Sequence, residues 1–302
     1  MMKVIVAVVF LCVLGLAGSA LANPGTSSAL NGVEDVYTGF QPPPGFYLMN
    51  YTLYYGAGAI NDDKGVGIPG AKVTMIADAV RLVYSSDIDI FGGRAMWHCV
   101  IPLVHKDITV PPPGIDESLS GLGDMYVSPL LVGWSFSPEW HIIAGLDMIL
   151  PTGEFERSRL VGTSNPNIGS HHYTFEPALA ATRIFPDIGL VLDAKLMYDI
   201  HTREEVTQVR TGNQFHVDYA ATLPIAEKLR AGINGYWFTS CEEDKLGRDT
   251  IDDSKERVFA IGPIVRYDVN EHTSLSFKAQ FEQNAHNRPD GNAFWLKIVH
   301  GF

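Results

Sequence analysis

Cysteine and positive charge are both scarce in this sequence. Its three cysteines, Cys12, Cys99 and Cys241, are far apart. Because Cys12 lies in a predicted signal segment, two would remain in the mature chain, which argues against a disulfide framework and a cysteine-based metal site. The 22 lysines and arginines face 34 acidic residues, giving a net charge of −12. A nucleic-acid partner is therefore not predicted, since phosphate binding requires clustered basic residues.

Long apolar runs are missing after residue 22. At the amino terminus, Lys3 precedes an apolar stretch, and Ala20-Leu21-Ala22 matches a cleavage site, so residues 1–22 are predicted to be a signal peptide. The apolar stretch is short for a membrane helix, and its retention as an anchor is the alternative. A helical membrane protein is disfavoured, whereas a membrane β-barrel remains compatible because its hydropathy signal per strand is weak.

Motifs for catalysis or for binding metals and phosphates are also scarce. The acidic loop 61–65 lacks the ligand spacing of a calcium loop. The seven acidic residues of 241–256 are typical of a solvated loop, although such a loop could meet divalent ions that bridge lipopolysaccharide. Residues 121–124 are too short for a glycine-rich phosphate cradle. No metal, cofactor or catalytic residue is therefore predicted.

Alternation of apolar and polar residues at period two runs through most of the chain, and it indicates strands with two different faces. Leu275 and Phe277, for example, share one face, while Ser276 and Lys278 share the other. Each segment supplies the roughly nine to eleven residues that a tilted membrane strand needs, and an even number is typical of bacterial barrels. The twelve predicted segments are 46–56, 70–84, 89–104, 123–137, 139–152, 171–185, 188–201, 212–223, 228–240, 256–268, 272–283 and 292–302.

Short and long connections alternate between these segments. Outer-membrane barrels have short periplasmic turns and long outer loops, so the alternation favours a barrel with both ends of its chain on the periplasmic side. The short connections are 85–87, 137–139, 186–187, 224–227 and 269–271, and the long ones are 57–69, 105–122, 153–170, 202–211, 241–255 and 284–291.

Aromatic residues lie near both ends of the predicted apolar faces. Tyr126 and Tyr173 fall towards the long connections, and Trp134 and Trp140 towards the short ones. Two such girdles are typical of membrane barrels, although aromatic residues favour any strand. The last segment ends on Phe302. An aromatic residue at the end of the last strand marks bacterial outer-membrane barrels as a class, and it predicts recognition by the barrel-assembly machinery.

Some residues fit the pattern badly. Four prolines fall inside predicted strands, where each removes a ladder donor, and bulges are expected to absorb them. Arg81 breaks the alternation set by Asp78 and Ala79, which predicts a bulge or an early end in the second segment. The four prolines are Pro102, Pro129, Pro177 and Pro263.

These observations predict an all-β fold: a transmembrane, antiparallel, up-and-down β-barrel of about twelve strands over residues 46–302. It would lie in the bacterial outer membrane, in contact with lipid and lipopolysaccharide. Residues 23–45 differ from the rest, and the run Pro42-Pro-Pro-Gly45 forces a stiff approach to the first strand. This segment is either a periplasmic tail or a plug of the lumen.

Polar side chains on the inner face are the candidates for lining a solute path. The lumen is either salt-bridged and partly closed or a selective path with fixed charges. Lys195 is expected to pair with Asp193 or Asp199, and Lys297 with Glu282. The candidate lining residues are Arg94, His98, Asp147, Glu176, Asp193, Lys195, His216, Asp218, Arg230, Asn234, Arg266, Lys278 and Lys297.

Several short motifs in order resemble a known family. They are Gly32-Val33, the stretch 42–47, Asn50-Tyr51, the stretch 121–124, the stretch 150–155 and Phe302. Together they resemble the outer-membrane family linked to the meta-cleavage pathway of phenol degradation, which is similar to hydrophobic-compound and fatty-acid channels. The resemblance implies a barrel that takes up hydrophobic or aromatic compounds, and it does not imply catalysis. The fatty-acid channels have more strands and an amino-terminal hatch.

The leading functional hypothesis is passive uptake of a small hydrophobic or aromatic solute. A structural or adhesion barrel acting through the loops 153–170 and 241–255 is the first alternative. A lipid-modifying hydrolase is the second, and it would need a Ser–His pair. Ser128, predicted to face outwards, and the local group Ser170, His171 and His172 are the residues that this alternative would use.

Overall fold

The structure, a computed structural model, describes residues 31–111, 114–160 and 165–302. The predicted signal peptide, residues 1–22, and residues 23–30 of the amino-terminal segment lie outside these described residues. In the part of the chain that the structure describes, no helix is long and apolar enough to cross a membrane.

β-Strands form nearly all of the regular structure, as the period-two alternation predicts. The described residues contain sixteen strands and one 3₁₀ turn, Arg157–Arg159. The strands are β1 Gly45–Ile60, β2 Lys72–Ile90, β3 Gly93–Val110, β4 Ile115–Leu122, β5 Met125–Ser137, β6 Trp140–Leu150, β7 Thr174–Phe185, β8 Leu190–His201, β9 Val209–Arg210, β10 Gln214–Ala226, β11 Leu229–Ser240, β12 Lys245–Leu246, β13 Asp249–Thr250, β14 Arg257–Asp268, β15 Thr273–His286 and β16 Pro289–Gly301.

The strands close into one antiparallel barrel. β4 and β5 follow each other along β3 and together make one wall position, while β9, β12 and β13 form a small separate sheet. Twelve wall positions therefore remain within the described residues. β1 pairs with β16 from Tyr47 opposite Gly301 to Ile60 opposite Pro289, which closes the wall. The predicted twelve-stranded, all-β barrel is confirmed.

The two ends of the barrel differ in their connections. At one, the short-turn end, neighbouring strands are joined at 91–92, 138–139, 186–189, 227–228 and 269–272. At the other, the long-loop end, the long connections are 61–71, 151–173, 202–213 and 241–256.

Two of the predicted long connections are strand extensions instead. In 105–122, β3 and β4 continue their ladder to a connection at 111–114, and β15 and β16 continue to a turn at 287–288. The ladder continues because the alternation persists there, and Asn287 adopts the left-handed backbone conformation that a tight hairpin requires (φ 54°).

The wall is apolar outside and polar inside. On β15, Phe277 and Phe281 are exposed on the outer surface, whereas Ser276, Lys278 and Gln280 are buried on the inner side. This arrangement is the reverse of a water-soluble barrel and matches a wall surrounded by hydrocarbon. Of the predicted girdle residues, Tyr173 and Trp140 are exposed on the outside. Tyr126 instead lines interior cavities, so its predicted outward position is wrong.

Irregularities in the ladder accommodate the prolines. Pro129 lies in a bulge of β5, as predicted. Pro177 and Pro263 each occupy a gap in the ladder to one neighbour while pairing with the other. The carbonyl of Pro102 accepts the Gly123 N–H at the break between β4 and β5 (2.9 Å). Each missing N–H thus faces a position where pairing is already interrupted.

The bulge predicted around Arg81 is absent from the described part of β2. Arg81 continues the inward alternation, and the register with β3 is regular from Lys72 to Ser85. The exception is Asp78, which faces outwards and accepts hydrogen bonds from Asn50 (2.9 Å) and Thr52 (3.0 Å). These two neighbours satisfy the carboxylate, so the strand needs no bulge to turn it inwards.

Candidate functional site

The amino-terminal segment 31–44 lies against the inner wall of the barrel. Backbone N–H groups of Gly32 and Glu34 donate to the Asp218 carboxylate at 2.8 and 2.9 Å. Further along, the Thr38 N–H donates to Asp193 at 3.1 Å. Wall carboxylates therefore hold the backbone of the segment, because buried N–H groups require acceptors.

The segment also brings two carboxylates to the wall. Glu34 contacts Arg81 at 2.8 Å and Lys195 at 3.8 Å. Asp35 contacts Lys297 at 2.8 Å and Lys278 at 3.3 Å. Buried ions are costly unless they are paired, so the acids of the segment compensate interior cations from four different strands.

This arrangement contradicts the ion pairs predicted from sequence. Lys195 contacts Glu34, Asp147 (3.2 Å) and Glu176 (3.5 Å) rather than Asp193 or Asp199. Residues two apart on a strand share a face but stand about 7 Å apart, so side chains from nearby strands and from the amino-terminal segment can approach Lys195 more closely.

The predicted pair of Lys297 with Glu282 is also wrong. Lys297 is opposite Ser276 in the β15–β16 ladder, which is six residues from Glu282 along β15. At about 3.4 Å per residue that separation is about 20 Å. Glu282 instead accepts hydrogen bonds from Tyr55 (2.6 Å) and Tyr236, and it lies 3.7 Å from Arg288.

The contacts of Glu34 and Lys195 belong to a band of charge halfway along the lumen. Arg81 contacts Nδ1 of His98 at 2.7 Å. Nε2 of His98 lies 2.6 Å from Ser128 Oγ and 3.1 Å from Asp147. We call this group, with the lysines that pair with residues 34 and 35, the charged band; its members are Arg81, His98, Ser128, Asp147, Glu176, Lys195, Lys278 and Lys297.

Ser128 is buried inside the barrel, and its predicted outward orientation is wrong because the bulge at Pro129 turns it inwards. The group Ser128, His98 and Asp147 does not have the geometry of a nucleophilic triad. Arginine can only donate, so Arg81 makes Nδ1 of His98 the acceptor and assigns the proton to Nε2. That nitrogen therefore cannot take the proton of Ser128.

The second serine–histidine group also lacks a catalytic contact in the described residues. The Ser170 hydroxyl donates to the His172 carbonyl at 3.2 Å. His171 contacts Glu204 at 2.6 Å and stacks on Phe155 at 4.1 Å. Neither imidazole approaches the Ser170 hydroxyl through a ring nitrogen in the described contacts, so these residues do not form the Ser–His pair that the hydrolase alternative needs.

Three cavities follow one another along the lumen. The short-turn chamber has a volume of about 1280 Å³ and combines apolar wall residues with the charged band. A narrow cavity of about 60 Å³ lies beside the charged band. The long-loop chamber, about 180 Å³, includes Leu53, Met75 and Trp295 in its lining. Tyr126 and Trp295 line both smaller cavities, and Arg81 and Asp147 line both the narrow cavity and the short-turn chamber.

All thirteen residues predicted to line the lumen lie on the inner side, although their role in a solute path remains a prediction. They fall into three groups according to their contacts: the charged band, residues 37–42 and Gln280. The charged band and its immediate neighbours include His98, Asp147, Glu176, Lys195, His216, Asp218, Lys278 and Lys297. Arg94, Asp193, Arg230 and Arg266 contact residues 37–42, and Asn234 bonds to Gln280.

Sequence reasoning missed several interior charges. Glu34 and Asp35 belong to the amino-terminal segment, Arg81 seemed to break a pattern, and Lys106 and Arg288 fell in predicted loops. Lys106 donates to the Asn167 carbonyl at 2.7 Å. The alternation could have found Arg81, since Ala79 and Val83 continue the same face. The alternation that extends β3 also covers Lys106, whereas no periodic signal marks Glu34, Asp35 or Arg288.

A second anchored segment covers part of the long-loop end. The Asp124 carboxylate, at the break between β4 and β5, accepts the N–H groups of Gly153 and Ser170 at 2.8 Å each. Gly153 and Gly169 come so close that a Cβ on Gly153 would lie 2.6 Å from the Gly169 Cα. The motifs at 121–124 and 150–155 therefore meet in space, which explains why the loop requires both glycines.

Comparison with known proteins supports the resemblance. Residues 57–298 match the family model described as "Putative MetA-pathway of phenol degradation". The chain belongs to this family. No similar protein was found among curated sequences.

The fold is that of solved outer-membrane barrels. An outer-membrane channel from Pseudomonas putida F1 is similar with a TM-score of 0.74 and 12% identity, over 93% of this chain and 99% of that one. The transport unit of the autotransporter AIDA-I from Escherichia coli has a TM-score of 0.51 and 9% identity, over 87% and 92% of the two chains. At these identities the likeness describes the fold.

Proposed function

We propose that this protein is an outer-membrane channel for passive uptake of a small hydrophobic or aromatic solute. The apolar short-turn chamber carries the proposal. Met96, Leu131 and Ile143 line it, and its volume of about 1280 Å³ exceeds that of a small aromatic molecule. Sites for such ligands combine apolar walls with a few polar groups. Family membership, the apolar outer surface and the likeness in fold to an outer-membrane channel support the same function.

The path runs from the long-loop chamber through the narrow cavity to the short-turn chamber. Segment 31–44 crosses it at the charged band, where Glu34 lines both the narrow cavity and the short-turn chamber. The segment therefore acts as a plug, and passage of a solute requires that it shift. The apolar linings favour hydrophobic solutes. The charged band holds the plug in place, and it excludes ions that cannot pair with its side chains.

Catalysis is not part of this proposal. The orientation of His98 towards Arg81 and Ser128 prevents it from acting as a base on the Ser128 hydroxyl. The interior charges are instead engaged in ion pairs with the plug and with one another. Lipid turnover by the purified protein, lost on replacing Ser128, would contradict this part.

The experiment is a liposome uptake assay with phenol, benzoate and a medium-chain fatty acid, compared with empty liposomes. Leu131→Trp should reduce uptake several-fold, because the side chain is buried and lines the short-turn chamber. Leu130→Trp is the matched control, since the neighbouring side chain faces outwards. Equal uptake in both variants would reject the chamber as the path.

Absence of uptake above empty liposomes for all three solutes would reject the channel. The adhesion alternative would then predict that deleting residues 241–255 abolishes binding of the barrel to outside partners. In contrast, a channel should keep its uptake when that loop is shortened, because residues 241–255 do not line the short-turn chamber.

A further inference from the structure

Three side chains of types that bind metal ions lie close together on the inner face of the barrel wall, on β7, β8 and β10. Glu176, Asp199 and His216 each offer one ligand atom, and these three atoms all lie within 4.8 Å of one another. All three residues are buried, with Asp199 fully covered and His216 1% exposed. Adjacent strands in register bring them together, because each lies on the inner face of its own strand.

The distances between these atoms are longer than those of ordinary hydrogen bonds. Nε2 of His216 lies 3.4 Å from Asp199 Oδ2 and 3.7 Å from Glu176 Oε2. Among the described residues, neither oxygen of Asp199 and neither ring nitrogen of His216 has a hydrogen-bond partner. Buried polar groups are normally satisfied, and an exception calls for an explanation.

The same distances suit a shared metal ion. Ligand atoms about 2.0–2.1 Å from a tetrahedral metal stand about 3.4 Å apart. We propose that Glu176, Asp199 and His216 bind a divalent transition-metal ion, with Zn²⁺ as the best-matched example. One imidazole nitrogen and two carboxylates form a donor set that such ions accept, whereas Ca²⁺ and Mg²⁺ favour oxygen alone.

Charge balance favours the same ion. Lys195 is shared by Glu34, Asp147 and Glu176, and Arg81 also pairs with Glu34, so two cations serve these three carboxylates. Asp199 makes its one ion-pair contact in the described residues with His216. A divalent ion would compensate the remaining negative charge, which is costly to bury alone. The narrow cavity of about 60 Å³, lined by Glu176 and His216, has room for a water molecule as fourth ligand.

Cobalt binding tests the proposal directly. The full-length mature protein in detergent is stripped with EDTA and titrated with Co²⁺, whose tetrahedral complexes absorb strongly in the visible range. We expect one equivalent of tetrahedral Co²⁺, displaced by Zn²⁺. Asp199→Asn and His216→Gln should abolish the band. Asp193→Asn is the matched control, because this buried acid of β8 is held by Thr182 and Thr38 outside the site.

Each result decides the proposal. Heat-modifiable mobility in gels verifies that the variants are folded, and Glu176→Gln replaces any that is not. No tetrahedral band in the wild-type protein would overturn the site, as would an equal band in every folded variant. Since the readout is metal binding alone, this result is independent of solute uptake.

Discussion

Two anchored segments occupy the lumen and the long-loop end, and they are held in different ways. Segment 31–44 carries its own carboxylates, and Glu34 and Asp35 pair with cations on several wall strands. Both segments also bind wall carboxylates through backbone N–H groups, and for segment 31–44 these carboxylates are Asp218 and Asp193. The loop 151–173 combines such hydrogen bonds with close packing. Its backbone N–H groups bind a wall carboxylate, Asp124, and its glycines permit close packing.

Because of this difference, we expect the attachment of segment 31–44 to be reversible and that of the loop 151–173 to be fixed. The ion pairs of segment 31–44 can break and re-form together. A permeating solute, or a change of charge in the charged band, can compete for them. The Asp124 contact relies on backbone hydrogen bonds and on close glycine packing, which allow few other arrangements. We therefore expect segment 31–44 to move during transport and the loop 151–173 to stay in position.

The largest effect is expected from the double substitution Glu34→Gln and Asp35→Asn. Breaking a buried ion pair costs about 3–5 kcal/mol, and this variant leaves Arg81, Lys278 and Lys297 without their acidic partners. The segment should detach, so single-channel conductance in planar bilayers should rise several-fold and amide protection of residues 31–44 should fall.

Glu227→Gln, an exposed acid in a short turn, is the control for this variant. It should behave as the wild-type protein in both measurements. Unchanged conductance together with unchanged protection in the double variant would show that ion pairs do not hold the segment.

A smaller effect is expected from Asp124→Ala. The variant loses two hydrogen bonds to a charged acceptor, each worth about 1.5–3 kcal/mol. Two other contacts remain, from the Met125 N–H to Thr152 Oγ1 (2.9 Å) and from the Glu154 N–H to Leu122 (2.9 Å). Amides of 151–173 should exchange faster by hydrogen–deuterium exchange, while conductance changes little.

Asp116→Ala on β4 is the matched control, since Asp116 is exposed and bonds only to Thr109 among the contacts described (3.1 Å). A rise in conductance as large as that of the double variant would contradict the contrast between the two segments.

The smallest effect concerns pH and the loop 241–256. Burial raises the pKa of Asp244 from 3.8 to about 6, against the lowering effect of the Gly212 N–H. Because the folded pKa is the higher one, the stabilisation is complete below about pH 4 and is lost as pH rises through 6. Loop amides should therefore be better protected at pH 5 than at pH 7.5.

Asp244→Asn should reduce this dependence, because the amide keeps an acceptor for Gly212 and does not ionise, whereas buried Glu256 in the same loop still titrates. The exposed neighbour Asp249 provides the control variant, Asp249→Asn. Equal protection at both pH values in the wild-type protein would show that Asp244 does not control the loop.

The wall of the barrel could be predicted from sequence, whereas the contents of its lumen could not. Period-two alternation on β15 encodes which side chains face inwards, because lipid outside and polar groups inside impose opposite demands on alternate residues. Lys195 and Lys297 were therefore assigned correctly to the inner face. Their partners were not, since Glu34 and Asp35 precede the first strand and no periodic pattern connects them with distant strands.

The proposed metal site could not be predicted from the sequence for a related reason. Glu176, Asp199 and His216 lie on three strands, with no spacing that a local motif would reveal. The closeness of their ligand atoms depends on the register between strands, which a single alternating segment leaves open. The same holds for Asp124, whose motif was visible but whose bonding partners lie 29 and 46 residues away.

The seam between β1 and β16 has a consequence for biogenesis. It joins residues at opposite ends of the chain, such as Tyr47 and Gly301, so it completes only after the carboxyl-terminal hairpin has been made. Asp35 binds Lys278 and Lys297 on that same hairpin. During folding, the amino-terminal segment therefore cannot make all its contacts until β15 and β16 have formed. Placement of this segment in the lumen and closure of the barrel are thus expected to occur together, late in folding.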